Sequence, residues 1–232
     1  MLSDYRPKSR SLILGALAVA MILSLAVSVS VRYGHADVPA AATAADVQPL
    51  GAGDKAPYFS VETVNNLPFE FDPRNLERPV VLITFRGGWC PYCNLQLSEL
   101  RTVIPQLRAM GVDVLFLSGD RAERLYDSLN RETQAAIGAL DYTILSDADA
   151  QAALALGIAF KASDQVLAKR RNAAGDEFRG SSMARHGVLP VPAVFVIDTS
   201  GMITFAYANP DYRVRLSGDE LIAAASEIAP AS

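Results

Sequence analysis

The sequence predicts an α/β fold, a mixed central β-sheet flanked by helices, with an N-terminal transmembrane helix ahead of it. Three observations carry that reading. Short apolar, β-branched runs alternate with helix-like stretches between residues 80 and 156, the pattern of strands buried on both faces and joined by helical crossovers. Two further apolar runs, 194–197 and 202–207, flank the turn Asp198-Thr199-Ser200-Gly201, which predicts a hairpin. Residues 11–31 form an apolar run without a charge.

At 232 residues the chain can hold one ordinary domain plus an appendage. A net charge of −4 and a pI near 5.2 show no basic excess of the kind nucleic-acid binding requires, so no nucleic-acid partner is expected. The apolar fraction of 50% draws much of its excess from the N-terminal block.

That block sets the expected compartment. Its 21 uncharged residues suffice to cross a bilayer as a helix. Arg6, Lys8 and Arg10 precede it, whereas Arg32 alone follows before Lys55. Such a bias keeps the N-terminus cytoplasmic and sends the rest across. Segment 1–33 is thus a cytoplasmic N-terminus with a membrane anchor or signal sequence. Gly34-His35-Ala36 offers a cleavage site, but the apolar core exceeds signal-peptide length, which favours an uncleaved anchor. Read as bacterial, the chain is a single-pass protein of the cytoplasmic membrane with its domain in the periplasm, or is released there if cleaved. Residues 34–52 are rich in Ala, Pro and Gly and read as a linker, with an irregular packed arm as the alternative.

The domain proper spans 53–232. Gly53-Asp54-Lys55-Ala56-Pro57 opens it, 58–61 alternates as a short strand, and Phe69 and Phe71 belong to a second. Val80-Val81-Leu82-Ile83-Thr84-Phe85 is a fully buried strand, and 94–110 a helix. A strand follows at 112–117, after which Ser118-Gly119-Asp120 reads as a helix cap. Residues 142–145 form another strand and 147–156 a short helix ended by Gly157. Residues 161–189 break the pattern as a basic insertion with Lys161, Lys169, Arg170, Arg171, Arg179 and Arg185. A hairpin is expected near Ala174-Gly175, and the whole is either a lid over a site or a solvated loop. An amphipathic helix over 218–228 closes the chain.

Both cysteines of the chain sit in one tetrad, Cys90-Pro91-Tyr92-Cys93, between a strand and a helix. So short a loop barely restricts the unfolded chain, so the pair is chemical rather than structural. Pro91 suits the first helical position, which places Cys90 at the N-cap, facing the positive end of the helix. A thiolate is the nucleophile in disulfide exchange. Cys90 is therefore expected to attack, and Cys93, one turn along the same face, to resolve. Gly87 and Gly88 leave room for a partner's backbone. Trp89 supplies a flat apolar shoulder or plain packing.

Trp89-Cys90-Pro91-Tyr92-Cys93 after a buried strand resembles the thioredoxin superfamily, and the tetrad itself is similar to that of glutaredoxin. Val191-Pro192 before an apolar strand matches the family's cis-proline, which lies against the cysteines and offers backbone to a substrate. The wider pattern resembles the peroxiredoxin-like branch of the AhpC/TSA family. It includes Gly53-Asp54-Lys55-Ala56-Pro57-Tyr58-Phe59, Phe85-Arg86-Gly87-Gly88-Trp89-Cys90, Leu145-Ser146-Asp147 and Pro192-Ala193-Val194-Phe195-Val196-Ile197-Asp198. The resemblance implies a thioredoxin-like fold. It also implies substrate contacts from Trp89, Pro91, Tyr92, Val191 and Pro192. The departures fall on the chemistry. Peroxiredoxins carry Pro-x-x-x-Thr-x-x-Cys and an activating arginine; aligning Cys93 with their cysteine puts Cys90 at the threonine and Pro192 near the arginine. Arg86 is a candidate for the missing charge. Thr84 stands where thioredoxins keep a buried carboxylate. The two families assign the cysteine roles oppositely.

The function expected is a membrane-anchored, extracytoplasmic thiol-disulfide oxidoreductase acting on protein disulfides. The alternative is a thiol-dependent peroxidase acting on peroxide. Either draws electrons from an unidentified thiol donor and needs no cofactor or bound metal. A third reading, from a different class, is a copper metallochaperone using both cysteines and a histidine, with His35 and His186 as the candidates.

Overall fold

The computed structural model of the chain describes residues 39–228, apart from 175 and 177. All lie in one of its two structural units, Ala36–Ser232. The expected anchor within 1–33, and His35, fall outside the described residues. Among those described, no helix is long and apolar enough to cross a membrane.

In chain order the elements begin with β1 (Phe59–Thr63), β2 (Pro68–Phe71) and β3 (Val80–Phe85). Then come α1 (Pro91–Glu99), α2 (Ile104–Ala109), β4 (Asp113–Ser118), α3 (Arg131–Ile137), β5 (Thr143–Ser146) and α4 (Gln151–Ala155). The remainder is β6 (Ala159–Lys161), α5 (Asp164–Ala174), α6 (Ser182–His186), β7 (Val188–Pro190), β8 (Ala193–Ile197), β9 (Ile203–Ala208) and α7 (Gly218–Ser226). Seven strands form one sheet in the order β2-β1-β5-β4-β3-β8-β9. The central β5, β4 and β3 are parallel, and β1 and β8 join them antiparallel. This is the thioredoxin-like mixed sheet that the sequence pattern implies.

Side-chain alternation decides what covers each face. Val80 and Leu82 join Phe59, Leu117 and Phe195 in a core closed by α4 and the two-stranded β6–β7 ribbon. Val81, Ile83 and Phe85 point the other way, into a core closed by α1, α2, α3 and α7. Cys90 and Cys93 belong to this second core. Both faces of β3 are dry, which is why its sequence is apolar at every position but Thr84.

Several expected boundaries move, each for a local reason. The helix expected over 94–110 is two helices, because Pro105 has no N–H for a continuing ladder. A 3-10 turn, Leu100–Thr102, separates them, and Pro105 falls in the first turn of α2. Ser118-Gly119-Asp120 caps nothing: α3 begins later, where the Asn130 side chain accepts from Thr133 N at 2.7 Å. The helix expected from Asp147 starts at Gln151, and the Asp147 carboxylate accepts from Ala152 N and Ala153 N at 3.0 and 2.8 Å. No hairpin forms at Ala174. The good helix formers of 165–173 instead make α5, which ends there, and Gly175 lies outside the described residues. The 161–189 insertion rises from the β6–β7 ribbon, with Leu167 and Phe178 turned to the core.

Part of the 34–52 stretch is an arm packed on the domain. Ala41 N donates to Ala159 O and Lys161 N to Ala41 O, both at 2.9 Å, and Leu50 N donates to Leu156 O at 3.1 Å. Thr43 and Asp46 close a capping box around the 3-10 turn between these contacts.

Burial pushes the Asp147 carboxyl up from 3.8 to about 7. Between those two pH values the native state holds a proton that the unfolded chain has lost, so stability falls as pH rises through that window. Asp147→Asn is expected to remove a slope of up to about 1.4 kcal/mol per pH unit there. Urea midpoints of both proteins across the window measure the difference.

Candidate active site

The strand-to-helix turn after β3 is held by neighbours rather than left open. Gly88 N donates to Asp120 Oδ2 at 2.7 Å, and Ser128 Oγ donates to the same oxygen at 2.9 Å. A Cβ on Gly88 would strike the Ser128 backbone, and one on Gly87, at φ +147°, would strike Asp120 and the Trp89 ring. The space expected for a partner's backbone at Gly87 and Gly88 is therefore filled from within. Asn94, buried on α1, ties the turn down, donating to Gly88 O at 2.6 Å and Cys90 O at 3.1 Å while accepting from Asn130 N at 2.9 Å.

Cys90 occupies the N-cap of α1 with Pro91 first in the helix, as the tetrad predicts. Both cysteines are free thiols, 1% and 0% exposed. Hydrogen bonding from the Cys93 thiol lowers Cys90 from 9.0 to about 6, against the effect of burial. The helix start contributes less than expected: the Cys90 sulfur makes no cap hydrogen bond, and the Cys93 backbone N–H ranks behind the thiol. The charges of Arg215 and Arg86 add to the lowering. Cys93 is pushed well above 9.0, first by burial and then by its bond to Cys90. Thiolate and thiol are thus assigned to Cys90 and Cys93 respectively.

Two guanidiniums serve this pair. Arg215 Nη2 lies 3.5 Å from Cys93 Sγ. Arg86 is half-buried, and its guanidinium lies 4.3 Å from the Tyr212 ring centre and 5.6 Å from that of Phe160. Burial acts to lower its pKa, and the cysteines act to restore it. The mouth is aromatic: Tyr92 is 39% exposed and meets Tyr212 edge-on at 5.6 Å. Pro91 is exposed beside it. Trp89 is half-buried, and the Arg170 guanidinium from α5 sits 3.9 Å from its ring centre. The insertion therefore touches the tetrad's flank.

The 191–192 loop differs from its expected role. No peptide bond among the described residues is cis, and both residues are buried. Val191 N donates to Ile158 O, and Pro192 O accepts from Asn209 N. The Thr84 hydroxyl accepts from Ala193 N at 3.0 Å and lies 3.3 Å from Val191 O. The Val191 N–H is thus already committed within the domain, and both carbonyls have an internal donor. His186 does not fold back to the tetrad either: its Nε2 lies 3.1 Å from Asp149, exposed at the end of α6. No cluster of three or more metal-ligating side chains occurs among the described residues.

Arg215, Asp120, Asn94 and Tyr212 are not legible in the sequence as site residues. Only Asp120 had a usable signal: it follows the C-terminal end of a buried parallel strand, where sites of α/β sheets gather.

Fold and site together define a thiol-based oxidoreductase. Residues 52–206 match the AhpC/TSA family, and the chain belongs to it. Peroxiredoxin Bcp of Escherichia coli is 32% identical over 117 residues, which is 48% of this chain and 67% of that protein. Thiol-disulfide oxidoreductase ResA of Bacillus cereus is 27% identical over 79 residues, 34% of this chain and 44% of that one. A solved peroxiredoxin-like protein from Aquifex aeolicus shares the fold at a TM-score of 0.58 and 19% identity, covering 78% of this chain and 89% of that chain.

Thiolate absorbance in the far ultraviolet should rise with a midpoint near pH 6, from Cys90 alone. Cys93→Ala removes the donor and should move that midpoint upward, toward the ordinary cysteine range. An unchanged midpoint would show that the thiol is not what stabilises the charge.

Proposed function

We propose that the chain is a thiol-disulfide oxidoreductase in which Cys90 attacks and Cys93 resolves. One observation carries the reading: two free thiols meet at the start of α1, Cys90 at its N-cap and Cys93 one turn in beside Arg215, surroundings that favour the thiolate on Cys90 over that on Cys93. At neutral pH the first is a ready nucleophile, still basic enough to attack efficiently. The second keeps its proton until a mixed disulfide has formed. Tyr92, Pro91 and Trp89 border the approach to Cys90. A protein disulfide is the substrate, and a separate thiol donor re-reduces the pair.

A Cys93→Ser variant mixed with a disulfide-bearing protein should accumulate an adduct through Cys90, seen on a non-reducing gel and absent from the double variant. Absence of any adduct, with Cys93 alone reacting with peroxide in Cys90→Ser, would sink the assignment.

Likeness to peroxiredoxin Bcp over 117 residues favours a second reading, a thiol peroxidase. In that case Cys90 gives a sulfenic acid and releases water or an alcohol, and Cys93 condenses with it to a disulfide and a second water. Arg86 and Arg215 would supply the positive charge. Rapid mixing with hydrogen peroxide, followed by Trp89 fluorescence, separates the readings; oxidation no faster than that of a free thiol removes this one.

For location, the proposal rests on the uncharged run 11–31 and the preceding Arg6, Lys8 and Arg10. The domain is placed on the periplasmic side of the cytoplasmic membrane, single-pass. A reporter enzyme active only outside the cytoplasm, fused after Ser232, should be active and sediment with membranes. Inactive fusions overturn the orientation.

A further inference from the structure

We propose that Arg215 is a catalytic residue of the second half of the exchange, holding the Cys93 thiolate that must form before the mixed disulfide can be resolved. The inference rests on the thiol-disulfide reading and deepens it, naming the charge that its slower sulfur requires.

The chemistry runs in two steps. The Cys90 thiolate attacks one sulfur of a disulfide, forming a Cys90 mixed disulfide and releasing one thiolate. Cys93 then loses its proton, which ends on the released thiolate, and attacks Cys90 Sγ. The Cys90–Cys93 bond forms, the bond to the substrate sulfur breaks, and the second thiolate leaves. The dithiol is oxidised by two electrons and the disulfide is reduced to a thiol and a thiolate.

The second step is where the buried site is at a disadvantage. Cys93 is 0% exposed, and burial opposes its ionisation most strongly. A carboxylate to take the proton is missing from the expected place, since Thr84 stands there with its hydroxyl engaged by the 191–193 backbone. Asp120 is engaged elsewhere through Oδ2, which accepts from Gly88 N and Ser128 Oγ. A cation beside the sulfur does the work differently, by lowering the energy of the thiolate itself. Arg215 Nη2 is 3.5 Å from Cys93 Sγ.

Contact singles out Arg215 rather than Arg86 for this task, since among the described residues its guanidinium is the one that bonds to Cys93 Sγ. Its Nε and Nη1 are buried with no hydrogen-bond partner among the described residues, and none of the described carboxylates pairs with it, so its charge is not neutralised. At this half-buried position that charge acts more strongly than it would in water. Its backbone is anchored from the next residue on, by buried Leu216 and by the Ser217–Glu220 capping box that starts α7. Arg86, by contrast, lies against the rings of Tyr212 and Phe160. Arg215 also favours the Cys90 thiolate, but there it ranks behind the Cys93 thiol. Once Cys90 is in a mixed disulfide it carries no charge, and Cys93 is left as the one sulfur for Arg215 to stabilise.

Single-turnover mixing with 4,4′-dithiodipyridine, a neutral disulfide, resolves the steps as two releases of thiopyridone. In Arg215→Met the first release should keep its rate within about threefold. The second should slow by about tenfold or more at neutral pH, the equivalent of about one pKa unit, and its pH profile should move to higher pH. Arg215→Lys, which keeps the charge and serves as the second variant should the first fail to fold, should recover part of the rate and of the profile. Equal slowing of both releases would assign Arg215 to Cys90 instead. Unchanged rates and profile would leave it a packing residue, and either result overturns the inference. A natural-sequence protein that releases no thiopyridone, or only one equivalent, would instead defeat the thiol-disulfide reading itself.

Discussion

The redox pair depends on a hydrogen bond made by neither cysteine, that from Gly88 N to the Asp120 carboxylate. Parallel register pairs Phe85 with Ser118, so β3 and β4 end side by side and the residues beyond them share one edge of the sheet. Asp120 lies just past that end, with its N–H donating to Ser118 Oγ and its carbonyl accepting from Ser146 Oγ of β5. It thereby links the ends of three strands to the turn that delivers Cys90. Ser128 approaches so closely that only glycine fits at position 88. Buried groups of this kind hold position because a lost partner would leave a desolvated carboxylate or amide behind.

From that fixed turn the electrostatics follow. Sinking two sulfurs into an apolar core raises the energy of any charge on either. In the resting dithiol the charge is favoured on Cys90, which receives the Cys93 thiol as donor, while the charges of Arg215 and Arg86 add to the effect. The same bond that helps Cys90 hinders Cys93. A difference in acidity between two identical side chains thus arises from what surrounds each of them.

Much of the fold was legible because β3, β4 and β8 are buried on both faces, which forces short continuous apolar runs set between helix-like stretches. Helix limits were less legible, since Pro105 and the delayed start of α3 are decided by local backbone donors rather than by periodicity. The tetrad was legible as chemistry, and its strand-to-helix setting was read correctly. Val191 and Pro192 were found as a place in the fold, and what the sequence did not reveal is how far Thr84 and neighbouring backbone already engage that loop. Arg215 left no trace: it stands 122 residues from Cys93, on a loop without periodicity, and only folding brings them together.

What covers the pair also constrains who can reach it. Ala41 of the N-terminal arm forms a bridge with Phe160 of β6, and the Phe160 ring faces the Arg86 guanidinium. That guanidinium lies against Tyr212, and Tyr212 meets Tyr92. On the other flank α5 sets Arg170 over Trp89, so the basic insertion is not merely a solvated loop; one of its cations is spent on the tetrad. Around the buried pair the exposed residues are Pro91, Tyr92 and Tyr212. The surroundings of the pair thus present aromatic rings and guanidinium groups.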